Sequence, residues 1–216
     1  MNLLDHPVQL IVFLFLLSVL PLLVILGTSF LKISVVLALL RNALGIQQVP
    51  PNMALYAIAL ILTAYIMAPV GFQVSDALKE HPVDFSSPAS VAQIDDSVLS
   101  PYRRFIKQHT PPRQIRFFME IGRRTWPEYY KERLDAGSLW VLIPAFAVSQ
   151  LIEAFKIGVL LFLPFLAIDM IVSILLLTLG MMMVSPLTIA LPFKILLFVL
   201  MGGWEKLLSQ LMLSYS

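Results

Sequence analysis

Two stretches of the chain, His6 to Leu31 and Asn42 to Ser75, contain no Lys, Arg, Asp or Glu and are dominated by Leu, Ile, Val, Ala and Phe. A helix needs about 20 apolar residues to cross a hydrocarbon layer about 30 Å thick, so each stretch is long enough to be solvated by lipid. In the second, the apolar heart is Met53 to Phe72. Composition agrees, because 59% of residues are hydrophobic and 13% charged, with a mean hydropathy of +0.87. A soluble domain carries about 25% charged residues. The chain reads as an all-α, integral-membrane-type protein. Its first run lacks a positive leader and is too long for a signal core, so it reads as a retained helix.

The charges are unevenly spread: 19 of the 28 lie between Asp76 and Asp135. This divides the chain into N-terminal hydrophobic helices (1–75), a polar insert (76–138) and C-terminal hydrophobic hairpins (139–216). Within the insert, HPVDFSSPASVAQIDDS reads as a loop from its Pro, Ser and Asp content. SPYRRFIKQH and PPRQIRFFMEIGRRTWPEYYKERLD read as two amphipathic helices. Ile115, Phe118, Met119 and Gly122 share one face of the second, with Arg113, Arg116, Arg123 and Arg124 elsewhere; those arginines read as a solvated face, open to a partner or lipid. Lys32 and Arg41, placed between the first two helices, predict that this connection faces the cytoplasm and the insert the other side. The net charge of +2 is too balanced to argue for nucleic acid, and no basic arm is present.

After the insert, Ala136 to Ile152 and Ile157 to Ile168 are short, and Met170 to Phe193 is broken by Pro186 and Pro192, so these spans read as interrupted. Lys32, Glu153, Lys156, Asp169 and Lys194 abut or interrupt apolar runs. An ionisable group at membrane depth costs about 2.5 kcal/mol or more unless it is paired, snorkels or faces water. Glu153 and Lys156 are spaced to pair on one helix. Asp169 is placed to cap a helix following Pro164. Lys194 has no acid near it in sequence, so a partner must come from another helix or another chain. Snorkelling at segment ends is the alternative for each residue singly; together, five such charges point to hairpins packed mainly against protein.

Catalytic and cofactor signals are absent. His6, His81 and His109 lack metal-ligand spacing, there is no cysteine, and no phosphate-binding or nucleophile-elbow motif occurs. Asp95 and Asp96 sit in the Ser-rich loop and read as a solvated turn or cap. The chain is read as a non-enzyme without cofactors. Glu153 and Asp169 are the only acids available to a proton relay, so an ion-coupled secondary transporter is the alternative.

Residues 180–186 read GMMMVSP. Gly180 permits unusual backbone, Pro186 removes a donor and pushes Ser185 out of the α region, so a continuous helix is not expected across them. Irregular backbone at membrane depth is tolerated where it is buried in protein or lines a cavity. Three adjacent residues on a helix do not share a face, whereas in a loop repeated around a ring Met181, Met182 and Met183 would form stacked apolar collars. Thioether side chains adapt to one another and to any polypeptide between them. An apolar constriction also resists wetting. Lipid-facing or core filler is the plainer reading of the three.

The strings LGTSFLKISVVLALLRNALGIQQVPPN (26–52), AFKIGVLLFLPFLAIDM (154–170) and LGMMMVSPLTIALPFKILLFVLMGGWEKLL (179–208) closely resemble the FliP/SctR family, the export-gate proteins of flagellar and virulence type III secretion systems. Without a cleavable-looking signal, the chain resembles the virulence SctR branch. The resemblance implies a pentamer, joined by SctS-like and SctT-like subunits and meeting an SctU-like switch protein. The implied assembly sits in the bacterial inner membrane, largely on the periplasmic side, with tilted hairpins around a conduit for unfolded secreted proteins. It implies that Met181, Met182 and Met183 form the gasket, hinged by Gly180, Ser185 and Pro186. It also implies that Lys194 makes an intersubunit salt bridge to a glutamate of the family's SEL motif. Here that motif reads Ser149-Gln150-Leu151, which leaves Gln150 or Glu153 as the expected acceptor.

Overall fold

A computed structural model describes residues 7–46, 50–80 and 98–216. Among these residues the regular structure is helical, with no strand. The elements are α1 (Pro7–Gly27), α2 (Phe30–Leu44), α3 (Asn52–Glu80), α4 (Ser100–Gln108), α5 (Pro112–Thr125), a 3-10 turn (Glu128–Arg133), α6 (Leu139–Thr178), α7 (Pro186–Leu200) and α8 (Gly203–Leu213). The fold is therefore the expected all-α, membrane-type one. Two helices, α3 and α6, are each long and apolar enough to cross a membrane. α7 and α8 meet that test only as a pair bent by 60°. The loop expected over 81–97 lies outside the described residues.

Three expectations change. Lys32 and Arg41 do not stand in a loop; both belong to α2, which removes the connection on which the orientation reading stands. Its buried residues Ile33, Val36, Leu37, Leu40, Ala43 and Leu44 recur at helical spacing, so the segment forms an amphipathic helix with Lys32 on the covered side. Two of the spans after the insert are not separate, since α6 runs without a break through Pro144 and Pro164; the span from Met170 to Phe193 is interrupted ahead of Pro186, between α6 and α7, but not at Pro192, through which α7 is continuous. A proline inside a helix loses one hydrogen bond, but unravelling the helix among apolar side chains would strand several, so the chain bends instead of stopping. Asp169 consequently lies inside α6 and caps nothing.

The chain folds as two compact units, residues 1–31 with 69–149 and residues 32–68 with 150–216. They interleave along the sequence and cut across its three-part division. In the first unit α1 stops at Gly27, whose carbonyl accepts a hydrogen bond from the Tyr102 hydroxyl at 2.9 Å. The Tyr102 oxygen lies so close to Gly27 that no Cβ would fit there. Burial pushes the Tyr102 hydroxyl up to about 12. Thr28 bridges the break, donating to the Val24 carbonyl at 2.6 Å and accepting from the Phe30 N–H at 3.3 Å. The amphipathic helices expected in the insert are α4 and α5, the second stopping at Thr125, ahead of Pro127 and the 3-10 turn, where the expectation ran on to Asp135. Phe105 and Ile106 of α4 are buried, and the Phe105 ring lies 6.0 Å from that of the fully buried Phe146. Gly122 of α5 admits the Leu134 side chain against its backbone.

In the second unit Gly158 of α6 is pressed by Leu39 of α2, which brings those helix backbones close. Val172 and Leu176 of α6 pack with Ala190 of α7, with Ile168 and Val184 beside them. α6 and α7 are thus the two arms of a hairpin whose turn is the methionine stretch.

Candidate functional site at the hairpin turn

At the end of α6 the chain reverses through a glycine-capped terminus. Gly180 has φ +72°, its N–H reaches the Leu177 carbonyl at 3.1 Å, and the Met181 N–H reaches the Leu176 carbonyl at 2.9 Å. This crossed pair of bonds is the Schellman arrangement, which requires a left-handed residue and so selects glycine. The Val184 N–H then donates to the Met181 carbonyl at 3.3 Å, placing Met182 and Met183 at the corner of a turn. Ser185 is extended (φ −68°, ψ 120°) and Pro186 opens α7. A proline is favoured there because its missing N–H would have had no partner in the first helical turn. Helix continuity is therefore broken where the sequence indicated.

The side chains follow from that backbone. Met181 is 45% exposed, Met182 80% and Met183 100%. The three form an apolar tip on which, among the described residues, Met182 and Met183 stand largely uncovered, while the arms beneath pack on each other.

Further down the hairpin the arms are joined by charge. Lys194 Nζ donates to Asp169 Oδ2 at 2.6 Å and to the Ala43 carbonyl, near the end of α2, at 3.2 Å. Lys194 is 2% exposed, whereas the Asp169 side chain keeps 35%. Removing one member of a buried pair leaves an uncompensated charge and costs about 3–5 kcal/mol. The other carboxylate oxygen, Asp169 Oδ1, is buried without a hydrogen-bond partner among the described residues.

The remaining candidates are engaged elsewhere within the chain. Gln150 and Glu153 do not meet Lys194 within the chain. The Gln150 side chain accepts a hydrogen bond from the Tyr215 hydroxyl. Glu153 pairs with Lys156 at 2.8 Å, as their spacing indicated. Lys32 Nζ sits 4.0 Å from the centre of the Tyr215 ring, a cation–π contact that helps cover the ammonium, and Glu153 is near enough to act on its charge. Asp169 as the partner of Lys194, and Tyr215 as the partner of both Lys32 and Gln150, were missed. One signal was available: Asp169 precedes Gly180 by as many residues as Lys194 follows Met183, so a hairpin folded at the methionines sets them level.

A hydrophobic hairpin that turns at the methionines agrees with what the sequence strings implied. The FliP family model matches residues 13–211. This chain belongs to the FliP family. It is 52% identical over 217 residues to "Virulence protein YscR" of Salmonella typhimurium, covering 100% of both chains. It is 50% identical over 212 residues to "Yop proteins translocation protein R" of Yersinia pestis, covering 98% of each. It is 45% identical over 209 residues to "Harpin secretion protein HrcR" of Erwinia amylovora, covering 97% of this chain and 96% of the relative. Those names place this FliP family chain with the SctR proteins of virulence-type secretion, as a membrane-type subunit of a type III secretion apparatus.

Proposed function

We propose that the chain is a conduit-forming subunit of the export gate and that Met181, Met182 and Met183 are its share of a compliant seal. The observation that carries this reading is the exposure of Met182 and Met183 at the corner of a turn held by Gly180 and Pro186. Side chains as exposed as Met182 and Met183 are available to meet symmetry copies around an axis. In a pentamer, completed by SctS-like and SctT-like subunits and adjoined by an SctU-like switch protein, five such tips would face one another. Flexible thioethers would close on themselves at rest and give way to an unfolded protein, without demanding its sequence. The assembly would reside in the bacterial inner membrane with much of its mass on the periplasmic side. Gly180, Ser185 and Pro186 fix where the arms stop and the tip begins.

The test is the ion leak across membranes carrying the triple variant Met181→Ala, Met182→Ala, Met183→Ala, with assembly verified by the mass of the complex extracted in mild detergent. The expected result is an intact complex with a raised leak. An unchanged leak in a fully assembled complex would refute the seal, and extraction as a monomer or homodimer would refute the ring.

A further inference from the structure

The compact unit that holds the insert has a pocket of its own, of about 610 Å³, lined among others by Arg103, Arg104 and Lys107 of α4, Arg133 of the 3-10 turn, Asp135 and Trp140. Arg104 and Lys107 of α4 and Arg133 of the 3-10 turn bring three cations from two separate elements to a pocket with one carboxylate. That carboxylate is already engaged, since Asp135 Oδ2 accepts the Gly137 N–H at 2.8 Å. Converging cations in a concavity repel one another, and an anion held among them relieves that repulsion. Two nearby basic residues are paired locally, Lys131 with Glu128 at 2.6 Å and Arg124 with Glu120.

The surroundings narrow the anion. The pocket opens at the first turn of α6, where the chain passes from the charged insert into a helix long and apolar enough to cross a membrane. Trp140 stands there 76% exposed, and Tyr129, stacked 4.0 Å from Tyr130, is 74% exposed. Arg133 lies 5.9 Å from the Tyr130 ring, which holds its guanidinium beside these aromatics. Exposed Trp and Tyr next to Lys and Arg, at the end of an apolar helix, is the composition of a lipid headgroup layer. Basic pockets at helix ends take anionic headgroups by the same chemistry. A free phosphate would use the cations but has no use for the exposed indole of Trp140 in the pocket lining.

We propose that this pocket binds the phosphate of an anionic phospholipid, with Arg104, Lys107 and Arg133 holding the headgroup and Trp140 against its acyl-glycerol region. The site is independent of the methionine seal and stands or falls without it.

The full chain in mild detergent is mixed with micelles doped with phosphatidylglycerol or with phosphatidylcholine, and bound lipid is counted by native mass spectrometry. Phosphatidylglycerol is expected to bind at least about tenfold more tightly than phosphatidylcholine, losing about fivefold for each cation removed. The triple variant Arg104→Gln, Lys107→Gln, Arg133→Gln should thus lose about a hundredfold. Arg113→Gln, Arg116→Gln, Arg123→Gln, which removes the same charge from α5, should bind as the parent does. Raising the salt should weaken phosphatidylglycerol binding in the unmutated chain, so the proposal is testable even if the triple variant misfolds. Equal retention of the two lipids, binding indifferent to salt, or a folded triple variant that binds like the parent would overturn it. Inorganic phosphate binding as tightly as phosphatidylglycerol would make this a free-anion site and overturn the lipid assignment.

Discussion

The shaft and the tip of the α6–α7 hairpin are built on opposite rules. In the shaft a buried lysine meets a carboxylate at 2.6 Å and a backbone carbonyl at 3.2 Å, beside a close-packed apolar cluster. At the tip the methionines pack on almost nothing, and only the backbone is fixed, by a glycine cap and a proline start. The difference separates two tasks within a single hairpin. Directional bonds and a desolvated charge pair hold the arms in one arrangement, whereas unbranched thioethers on a set backbone leave the end adaptable.

The largest effect is expected in the shaft. Lys194→Ala strands the Asp169 carboxylate and should cost about 3–5 kcal/mol. The double variant Asp169→Leu, Lys194→Met, which replaces the pair with apolar groups of similar volume, should recover most of that loss. Thermal unfolding of the full chain in detergent, followed by helical circular dichroism, measures both. A single variant as mild as the double would show that the pair does not hold the arms.

Next comes the hinge between the two regimes. Space around Gly180 is open, so Gly180→Ala meets no clash and pays only for its left-handed backbone. That strain should lower stability by about 1–2 kcal/mol in the same unfolding assay. A neutral result would mean that the turn relaxes freely and that the tip's backbone is not held.

Tyr102 offers a lock of the shaft's kind at a different helix break. Tyr102→Phe removes the hydrogen bond to the Gly27 carbonyl and should cost about 1 kcal/mol. The hydroxyl ionises at about 12 in the folded chain against 10.0 in its ordinary state. The folded form therefore holds its proton more tightly, so this contribution is complete below pH 10 and is lost as pH rises from 10 towards 12. The stability difference between parent and variant, measured at pH 8 and again at pH 11.5, should shrink. A difference that is flat or that grows would contradict burial of this hydroxyl.

The smallest effect on stability belongs to the tip itself. Met182→Ala with Met183→Ala alters exposed side chains and should change unfolding by no more than about 0.5 kcal/mol. A loss of several kcal/mol would show that the tip is packed after all and erase the contrast with the shaft.

Much of this contrast was legible in the sequence. The break at GMMMVSP followed from Gly180 and Pro186, whose backbone demands are local. The insert helices followed from the spacing of their apolar residues, and the Glu153–Lys156 pair from neighbours on one helix face. What failed depended on context. Pro192 read as an interruption because a proline's local cost is visible in sequence, while the cost of unravelling an apolar helix around it is not. Lys32 and Arg41 read as loop charges because charge is an unreliable marker of loops: Lys32 is covered by the ring of Tyr215, which stands far away in sequence. Asp169 was assigned to a helix end for lack of a visible partner, and its partner became visible only when the hairpin was folded at its turn.

The level placement of Asp169 and Lys194 about that turn also limits how the chain can change length. One residue added or removed in either arm between the pair and the tip would rotate one partner by about 100° and slide it about 1.5 Å along its helix. The ammonium would then face away from the carboxylate, inside a packed shaft. Between Asp169 and Lys194 a change of length is thereby accommodated only in the few residues between Gly180 and Pro186, and the charge pair acts as a register pin that keeps the two stretches leading to the tip matched.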